Sequence, residues 1–209
     1  MFTGLIEAVC KVVSANGSRV TIDLGELAGQ TDIGSSIAVN GTCLTVIGLD
    51  RNSATFDISP ETLEKSTLAD LTPSSTVNIE RAIKADGRFA GHFVQGHIDG
   101  VAAIKQISKK GQFTNMKFQP NPEILEQIIV KGSVSIDGIS LTVASMDENS
   151  FEIALIPETL KKTTLGNANI GDTVNIETDI IVKTIKKQLE NILPKKQGLT
   201  LEKLRESGF

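Results

Sequence analysis

The sequence contains no tryptophan and no tyrosine, and eight phenylalanines supply all of its aromatic side chains. Cysteine is also scarce: Cys10 and Cys43 are too few for a disulfide framework, so we predict a reduced, cytoplasmic protein. No apolar run is long enough to cross a bilayer. The start, MFTGLIEAVC, has no basic stretch before an apolar one, which argues against a secretory signal. A formal net charge of −4 argues against a general nucleic-acid binder.

Several common catalytic and metal-binding motifs are absent as well. His92 and His97 are the only histidines, and neither cysteine lies in a paired ligand spacing, so the sequence predicts no metal site. It contains no Walker-type phosphate loop, no GxGxxG segment after a strand and no GxSxG nucleophile elbow. The 209 residues are 40% hydrophobic, which is enough to bury a core.

What the sequence does contain is an internal repeat. Residues 33–80 align with residues 130–177 at a constant offset of 97, without a gap, and 20 of the 48 aligned positions are identical. The matched segments include SIAVNGTCLTV with SVSIDGISLTV, SPETLEKSTL with IPETLKKTTL, and TVNIE with TVNIE. GLIEAV (4–9) also matches GHIDGV (96–101), at an offset of 92. A period of this length fits a small domain rather than a solenoid unit.

We therefore predict two copies of one domain, residues 1–85 and 86–183, followed by an unduplicated segment, residues 184–209. The charged, glycine-containing junction RAIKADGRFAGHF suits a linker. The first copy contains short segments rich in β-branched residues, which Gly, Asn and Asp separate: 18–24, 36–41, 43–49 and 54–59. This spacing predicts a mostly β fold, with a closed or nearly closed barrel in each copy.

Two segments at equivalent places favour short helices instead. PETLEKSTLADL (60–71) and PETLKKTTLGNA (157–168) each begin with proline at a plausible first helical position, followed by glutamate. ILEQIIV (124–130) is a further candidate helix.

The C-terminal segment has a different pattern. Ile181, Ile185, Leu189 and Ile192 recur at helical spacing up to Pro194, and a second short helix is predicted at 200–205. The apolar stripe must be buried somewhere. Periodicity leaves open whether it folds back on a barrel or packs against the same helix of another chain.

Polar side chains fall at corresponding points of the two copies. The first copy offers Cys43, Thr45, Ser59, Glu61 and Thr62, and the second offers His97, Ser140, Thr142, Glu158 and Thr159. They lie at predicted strand ends and helix starts, and they suit a neutral, hydroxyl-rich or ureide-like heterocycle better than a phosphate. Purely structural roles stay open, because the Pro-Glu-Thr-Leu segments can be plain helix starts and Cys43 a small buried apolar residue.

Several motifs together resemble the riboflavin synthase family, of the alpha type. They extend from Met1 to about Lys187 and comprise MFTGLIE at the start, NGTCLTV (40–46), SPETL (59–63), GHFVQGHID (91–99), KGSVSIDGISLTV (131–143), IPETL (156–160) and VNIETD (174–179). The resemblance implies two tandem six-stranded Greek-key β-barrels with short helices, followed by a C-terminal α-helix. It also implies a homotrimer formed through that helix and, in some members, association with a lumazine synthase shell.

The reaction of that family is a dismutation, the last step of riboflavin biosynthesis. Two molecules of 6,7-dimethyl-8-ribityllumazine exchange a four-carbon unit and give riboflavin and 5-amino-6-(D-ribitylamino)uracil, without a metal or a redox cofactor. The resemblance implies that the duplicated barrel supplies two similar pockets, and that the N-terminal barrel of one subunit faces the C-terminal barrel of another. Holding the two lumazines face to face supplies much of the acceleration.

Site residues follow from the same resemblance. The family's catalytic positions match Cys43, His97, Ser140 and Asp179, supported by Phe2 and Thr142. Substrate contacts assigned to the first barrel match Gly4, Leu5, Ile6, Cys43, Leu44, Thr45, Ser59, Pro60, Glu61, Thr62, Leu63 and Glu64. Those assigned to the second barrel match Gly96, His97, Ile98, Ser140, Leu141, Thr142, Ile156, Pro157, Glu158, Thr159, Leu160 and Lys161.

Three roles are implied for particular residues. Lys131 matches a contact that reaches the pocket of a neighbouring subunit. Cys43 and Ser140 are expected in opposite pockets. His97 or Ser140 is expected to handle the proton of the lumazine 7-methyl group, with Asp179 orienting one of them.

The main alternative is a binding protein. Non-catalytic relatives of the family, the lumazine proteins and related fluorescent antenna proteins, hold one lumazine or flavin, and the motifs of their second barrel are eroded. GHID, DGISLTV and IPETL are intact in the second copy here, which favours the enzyme. A purely structural oligomeric β-protein is a third hypothesis, and it predicts that no lumazine binds.

Overall fold

The computed structural model describes residues 1–192, which form two closed six-stranded barrels. The first barrel consists of β1 (Ala8–Ala15), β2 (Arg19–Asp23), β3 (Ser36–Val39), β4 (Thr42–Asp50), β5 (Ser53–Asp57) and β6 (Thr76–Arg81). The second consists of β7 (Gly100–Lys110), β8 (Phe113–Pro120), β9 (Ser133–Ile136), β10 (Ile139–Met146), β11 (Phe151–Leu155) and β12 (Thr173–Thr178). The short helix predicted at 200–205 lies outside the described residues.

Both barrels have the same strand order. It is β1-β2-β5-β4-β3-β6 in the first and β7-β8-β11-β10-β9-β12 in the second, and neighbouring strands are antiparallel. Neighbours that are not consecutive in sequence, such as β2 with β5 and β3 with β6, give a Greek-key arrangement. The predicted fold class is confirmed.

Buried and more exposed side chains alternate along the strands, which explains why each barrel closes around its own core. On β5, Ala54 and Phe56 are fully buried, while the residues between and beside them are not. The second barrel has an equivalent apolar interior, in which the rings of Phe118 and Phe151 stack with their centroids 5.4 Å apart. The two interiors are separate apolar clusters, so each repeat encloses a core of its own.

The described residues also form four α-helices: α1 (Pro60–Lys65), α2 (Pro122–Leu125), α3 (Pro157–Lys162) and α4 (Ile180–Ile192). α1 and α3 confirm helices at the two Pro-Glu-Thr-Leu segments, although each α-helix is shorter than predicted and a 3-10 turn follows it. Ser66 ends α1, because its hydroxyl donates to the Thr62 carbonyl at 2.6 Å and accepts from the Leu68 N–H at 3.3 Å. Within residues 1–192, no helix combines the length and apolarity needed to span a membrane.

The candidate helix at 124–130 is wrong for most of its length. Asn121 caps the Ile124 N–H and places Pro122 at the first helical position, so the helix starts earlier than predicted and ends at Leu125. The residues that follow form turns, and the Gly132 N–H closes one of them on the Ile129 carbonyl at 2.9 Å. The dense apolar pattern of this segment is therefore not a helical face.

The predicted C-terminal helix is confirmed as α4, and its apolar stripe does not fold back on a barrel. Lys183 and Lys186, which lie outside the stripe, pair with Asp99 and Glu126 of the second copy at 2.7 and 2.9 Å. The stripe itself is 50 to 74% exposed at its four positions, Ile181, Ile185, Leu189 and Ile192.

The two barrels meet at the tips of equivalent hairpins. Asn40-Gly41 joins β3 to β4 and Asp137-Gly138 joins β9 to β10, and all four residues have positive φ, as a type I′ turn requires. A Cβ on Gly41 would lie 2.6 Å from the Gly138 backbone nitrogen, and a Cβ on Gly138 would lie 2.8 Å from that of Gly41. The tips therefore touch through bare backbone.

A buried amide network surrounds these tips. The Asn78 amide donates to the Asp137 carbonyl at 2.9 Å, and the equivalent Asn175 amide donates to the Asn40 carbonyl at 2.8 Å. The two amide oxygens accept from the backbone N–H groups that start the 3-10 turns of the opposite copies, at Thr164 and Thr67. Asn78 and Asn175 are fully buried, so this network fixes one barrel against the other.

We expect Gly41→Ala to destabilise the fold by about 3 kcal/mol. An alanine at φ +79 is strained, and its Cβ also collides with the opposite hairpin tip. Gly17→Ala is the matched control, because Gly17 has φ +81 but no atom within 4 Å of its Cβ position, so the expected loss is about 1 kcal/mol. Urea unfolding measures both, and equal losses would contradict the tip contact.

Candidate active site

A short segment precedes each barrel, residues 2–6 in the first copy and residues 94–98 in the second. Each of these crossing segments, or leading segments, contacts the barrel of the other copy. Phe2 and Val94, which are equivalent in the repeat, form an isolated antiparallel bridge with N–H···O distances of 2.8 and 3.2 Å. Beyond it, the Ser140 N–H on β10 donates to the Gly4 carbonyl at 2.9 Å. In the equivalent contact, the Cys43 N–H on β4 donates to the Gly96 carbonyl, also at 2.9 Å. The leading segment of each copy therefore packs on the barrel of the other copy.

Both crossings depend on glycine. Gly4 and Gly96 have φ of +79 and +83, and a Cβ on either would lie 2.5 Å from the Cβ of the residue it faces, Ser140 or Cys43. Because only glycine allows this approach, the two glycines set how closely the leading segments lie against the two predicted catalytic positions.

A buried carboxylate holds each leading segment. Glu80 on β6 accepts from the Thr3 N–H at 2.7 Å, the Thr3 hydroxyl at 2.8 Å and the Gly4 N–H at 2.9 Å. Glu177 on β12 accepts from the Gln95 and Gly96 N–H groups at 2.7 and 2.9 Å. Burial raises the pKa of both carboxyls above the ordinary value, and the hydrogen bonds from the backbone oppose that shift.

This exchange corrects the grouping of the predicted substrate contacts. The sequence assigns residues 4–6 to the first barrel and residues 96–98 to the second. In the structure, Gly4 and Ile6 contact the second barrel and residues 96–98 contact the first, while Leu5 lies beside the first barrel. Ile6 packs against the core of the second barrel, while residues 96–98 line a cavity on the first. Equivalent residues look alike in both copies, so the repeat carries no signal about which barrel a segment contacts.

The first pocket is a cavity of about 350 Å³ between β4, α1 and the crossing segment. Half-buried Cys43 and exposed His97 both line it, so two predicted catalytic residues share a pocket. Lys183 of α4 closes one side through its ion pair with Asp99 at 2.7 Å. The full lining is Thr42, Cys43, Glu61, Thr62, Lys65, Gly96, His97, Ile98, Asp99 and Lys183.

The equivalent region of the second barrel contains Ser140, whose hydroxyl oxygen is 2.7 Å from Nδ1 of His92. His92 is 7% exposed, and burial lowers the pKa of its imidazole, although the charge of Asp179 acts in the opposite direction. The imidazole is therefore neutral near pH 7. Asp179 also accepts from the Ile181 N–H at 2.9 Å at the start of α4. The predicted residue Ser140 thus contacts His92, a residue that sequence reasoning did not select.

A family model for the lumazine binding domain matches residues 3–82 and again residues 95–179. This chain belongs to the lumazine-binding domain family. Each matched unit begins in a crossing segment and ends in its own barrel, so one family unit contributes to both pockets.

Relatives of high identity are enzymes of this family. The chain is 42% identical to the riboflavin synthase of Actinobacillus pleuropneumoniae and 40% identical to that of Bacillus subtilis, over the full length of both chains in each comparison. A solved structure of LumP complexed with 6,7-dimethyl-8-(1'-D-ribityl) lumazine superposes with a TM-score of 0.77 at 22% identity. It covers 85% of this chain and 99% of LumP, and at that identity it supports the fold alone.

Several of the predicted lumazine-site residues contribute packing rather than an accessible side chain. Phe2 is fully buried against Ala38 and Val94, and Leu44 is 5% exposed in the first core. Thr45 and Thr142, at equivalent points of β4 and β10, are exposed. Phe2 therefore anchors the crossing segment through its buried side chain and its bridge to Val94.

The helix starts of the two family units differ in their caps. The Ser59 hydroxyl accepts from the Thr62 N–H at 3.1 Å, whereas Ile156 at the equivalent place has no capping side chain and is 49% exposed. The predicted contacts Glu61 and Glu158 each pair with a lysine one turn on, at 3.0 and 2.8 Å. The two equivalent helix starts therefore differ, with a polar residue at one and an apolar residue at the other.

A cavity of about 450 Å³ on the first barrel is not centred on the predicted site. Leu5 is the only predicted lumazine contact in its lining, which otherwise includes Glu7, Arg81 and the linker residues Lys84 and Arg88. On the second barrel, α4 begins at the equivalent place. The cavity therefore lies at the end of the first family unit, where the chain continues as a linker, whereas the second family unit continues as α4 at the equivalent position.

Proposed function

We propose that this chain is a riboflavin synthase, a transferase that dismutates two molecules of 6,7-dimethyl-8-ribityllumazine into riboflavin and 5-amino-6-(D-ribitylamino)uracil. Identity of 40 to 42% to riboflavin synthases over the full length of both chains carries this proposal. The two equivalent pocket regions support it, because a reaction between two copies of one substrate needs two similar binding sites.

The regions around Cys43 and around Ser140 are equivalent in the repeat and unlike in chemistry, as unequal roles for two identical substrates require. One lumazine gives up a four-carbon unit and the other accepts it. A base must first remove a proton from the acidic 7-methyl group of one of them. Our candidates for that step are exposed His97 in the first pocket and the His92-paired hydroxyl of Ser140 on the second barrel. Cys43, which lines the first pocket with His97, is our candidate for contact with the lumazine bound there.

We further propose a homotrimer in which α4 helices of three subunits pack together. Four apolar side chains along one face of α4 are at least half exposed, and such a stripe is unfavourable in water unless it is covered. In this assembly the first pocket of one subunit faces the second pocket of another. A cytoplasmic location and association with a lumazine synthase shell stay predictions of the family resemblance.

Incubation of the purified protein with 6,7-dimethyl-8-ribityllumazine tests the activity. We expect riboflavin to form, with two lumazines consumed for each riboflavin made. The absence of tryptophan and tyrosine leaves the ligand fluorescence unmasked. If lumazine binds but persists, the protein is a lumazine carrier of the antenna type and the catalytic assignments are wrong.

We expect Lys131→Gly to lower activity without weakening the fold. Lys131 has φ +66, a strained conformation that its counterpart Gly34 adopts freely at φ +89, and both N–H groups make the same backbone hydrogen bond. Glycine should therefore change the free energy of unfolding by less than about 1 kcal/mol. Loss of the ammonium that we place in a neighbouring pocket should raise KM by about tenfold.

Lys131→Arg is the control for that experiment, because it keeps the cation and the strained backbone. Steady-state kinetics and urea unfolding on the three proteins separate the two effects. An unchanged KM in Lys131→Gly would remove Lys131 from the binding site.

A further inference from the structure

His92 is a buried histidine that the surrounding backbone holds in place. The backbone N–H of His92 donates to the Thr3 carbonyl at 3.2 Å. The preceding Gly91 lies so close to Thr3 that a Cβ on it would overlap the same carbonyl oxygen. The contact ties His92 to the crossing segment of the other copy. His92 therefore has little freedom to move away from Ser140.

Only one ring nitrogen of His92 has a partner among the described residues. Nδ1 lies 2.7 Å from the Ser140 hydroxyl oxygen, while Nε2 is buried without a hydrogen bond. A buried polar atom without a partner is costly, so this orientation of the ring must be stabilised elsewhere. The 2.7 Å contact with the Ser140 hydroxyl contributes to that stabilisation.

We propose that His92 is a positioning residue that fixes the hydroxyl of Ser140 for the reaction. A serine hydroxyl otherwise rotates among three staggered positions, and a 2.7 Å hydrogen bond to a fixed imidazole selects one of them. This inference rests on the proposed function, since it concerns the orientation of Ser140 toward lumazine. It adds to the site a residue that acts through Ser140 and does not itself touch the substrate.

Asp179 fits the same arrangement. Its negative charge acts on His92, while its Oδ1 is held by the Ile181 N–H at the start of α4. The three side chains come from the linker, β10 and the residue before α4, so the arrangement exists only once the second barrel has folded.

Kinetics of four proteins test the proposal: the wild type, Ser140→Ala, His92→Ala and the double variant. We expect each single variant to lower kcat by about 10- to 100-fold with a smaller change in KM. We expect the double variant to be no slower than Ser140→Ala alone, because His92 acts through Ser140. Multiplying losses in the double variant, or an unchanged kcat in His92→Ala, would overturn the proposal.

His92→Asn and Ile153→Val distinguish positioning from loss of stability. Asparagine can place an amide atom near the position of Nδ1, so we expect kcat within about threefold of the wild type. Ile153→Val weakens the fully buried core of the same barrel away from the pocket, and we expect no change in kcat for the folded protein. If His92→Asn is as slow as His92→Ala, the hydrogen bond is not what Ser140 requires.

Nitrogen-15 NMR of the histidine rings gives a readout that does not depend on turnover. The chain has only two histidines, so the spectrum contains two ring systems. We expect Ser140→Ala to shift the ring signals of His92 and leave those of His97 unchanged, and no shift would overturn the contact.

If the wild type makes no riboflavin, the proposed function fails by itself. The lumazine affinities of the same four proteins then test whether His92 positions Ser140. We expect the double variant to bind lumazine no more weakly than Ser140→Ala alone.

Discussion

Asp137→Asn is expected to stabilise the folded chain by about 2 to 4 kcal/mol near pH 8 and by almost nothing near pH 4. Asp137 lies at the hairpin tip where the two barrels meet and is only 6% exposed. One carboxylate oxygen accepts from the Asn175 N–H at 2.8 Å. Burial raises the pKa of the Asp137 carboxyl from 3.8 to about 7, because a single neutral hydrogen bond does not replace the lost hydration.

The direction of the pH dependence follows from that shift. The folded state holds the proton of Asp137 up to about pH 7, whereas the unfolded chain releases it near pH 3.8. The contribution of Asp137 to stability is therefore fully present below about pH 4 and is lost as the pH rises to about 7. Asparagine does not titrate, so the gain over the wild type should grow across that interval and stay constant above it.

The repeat supplies a natural precedent and a matched control. Asn40 occupies the equivalent turn with nearly the same φ, and its side-chain oxygen accepts from the Asn78 N–H at the same 2.8 Å. Asparagine is therefore compatible with this geometry. Asn40→Asp should produce the opposite effect, a loss of stability that appears only as the pH rises.

Urea unfolding of the three proteins at several pH values measures these changes. Within residues 1–192, the cavity of about 480 Å³ beside Asp137 is lined by Asp70 and Asp172 and by no lysine or arginine, so no cation from this part of the chain compensates the buried charge there. A loss of stability in Asp137→Asn at every pH would show that the carboxylate has a favourable partner after all.

Features that repeat at a fixed offset were predictable from sequence. The offset of 97 identifies two equivalent domains, and alternating β-branched segments separated by turns identify barrels. Asn40-Gly41 and Asp137-Gly138 predict tight turns, since glycine and asparagine tolerate positive φ. These features depend on residues close together in the chain, which local patterns describe well.

Features that depend on contacts between the copies were not predictable in the same way. Gly4 contacts Ser140 across 136 positions, and nothing in a local pattern distinguishes that contact from one within the first barrel. The contact between His92 and Ser140 was unpredictable for the same reason, because the two residues are 48 positions apart in the chain. The candidate helix at 124–130 is wrong for a different reason, since a run of apolar residues can satisfy helical periodicity without forming a helix.

Ile185→Glu is expected to convert the proposed trimer into monomers and to lower riboflavin formation by more than about 100-fold. Ile185 lies within the exposed stripe of α4 and is 55% accessible in the single chain. A glutamate there costs little in an isolated chain, because the side chain already faces water. In a packed bundle of helices the same carboxylate would be buried three times without a cation, which is strongly unfavourable.

The large loss of activity would come from the site and not from the fold. If the first pocket of one subunit must face the second pocket of another, a monomer holds its two lumazines apart and forfeits the proximity on which the reaction depends. Lys187→Gln is the control, because it changes the net charge by the same amount on the same helix, away from the stripe. Sedimentation and lumazine binding should show Ile185→Glu as a folded monomer that still binds lumazine. A monomer that retained full activity would place both lumazines within one chain, and an unchanged trimer would show that the stripe is not the interface.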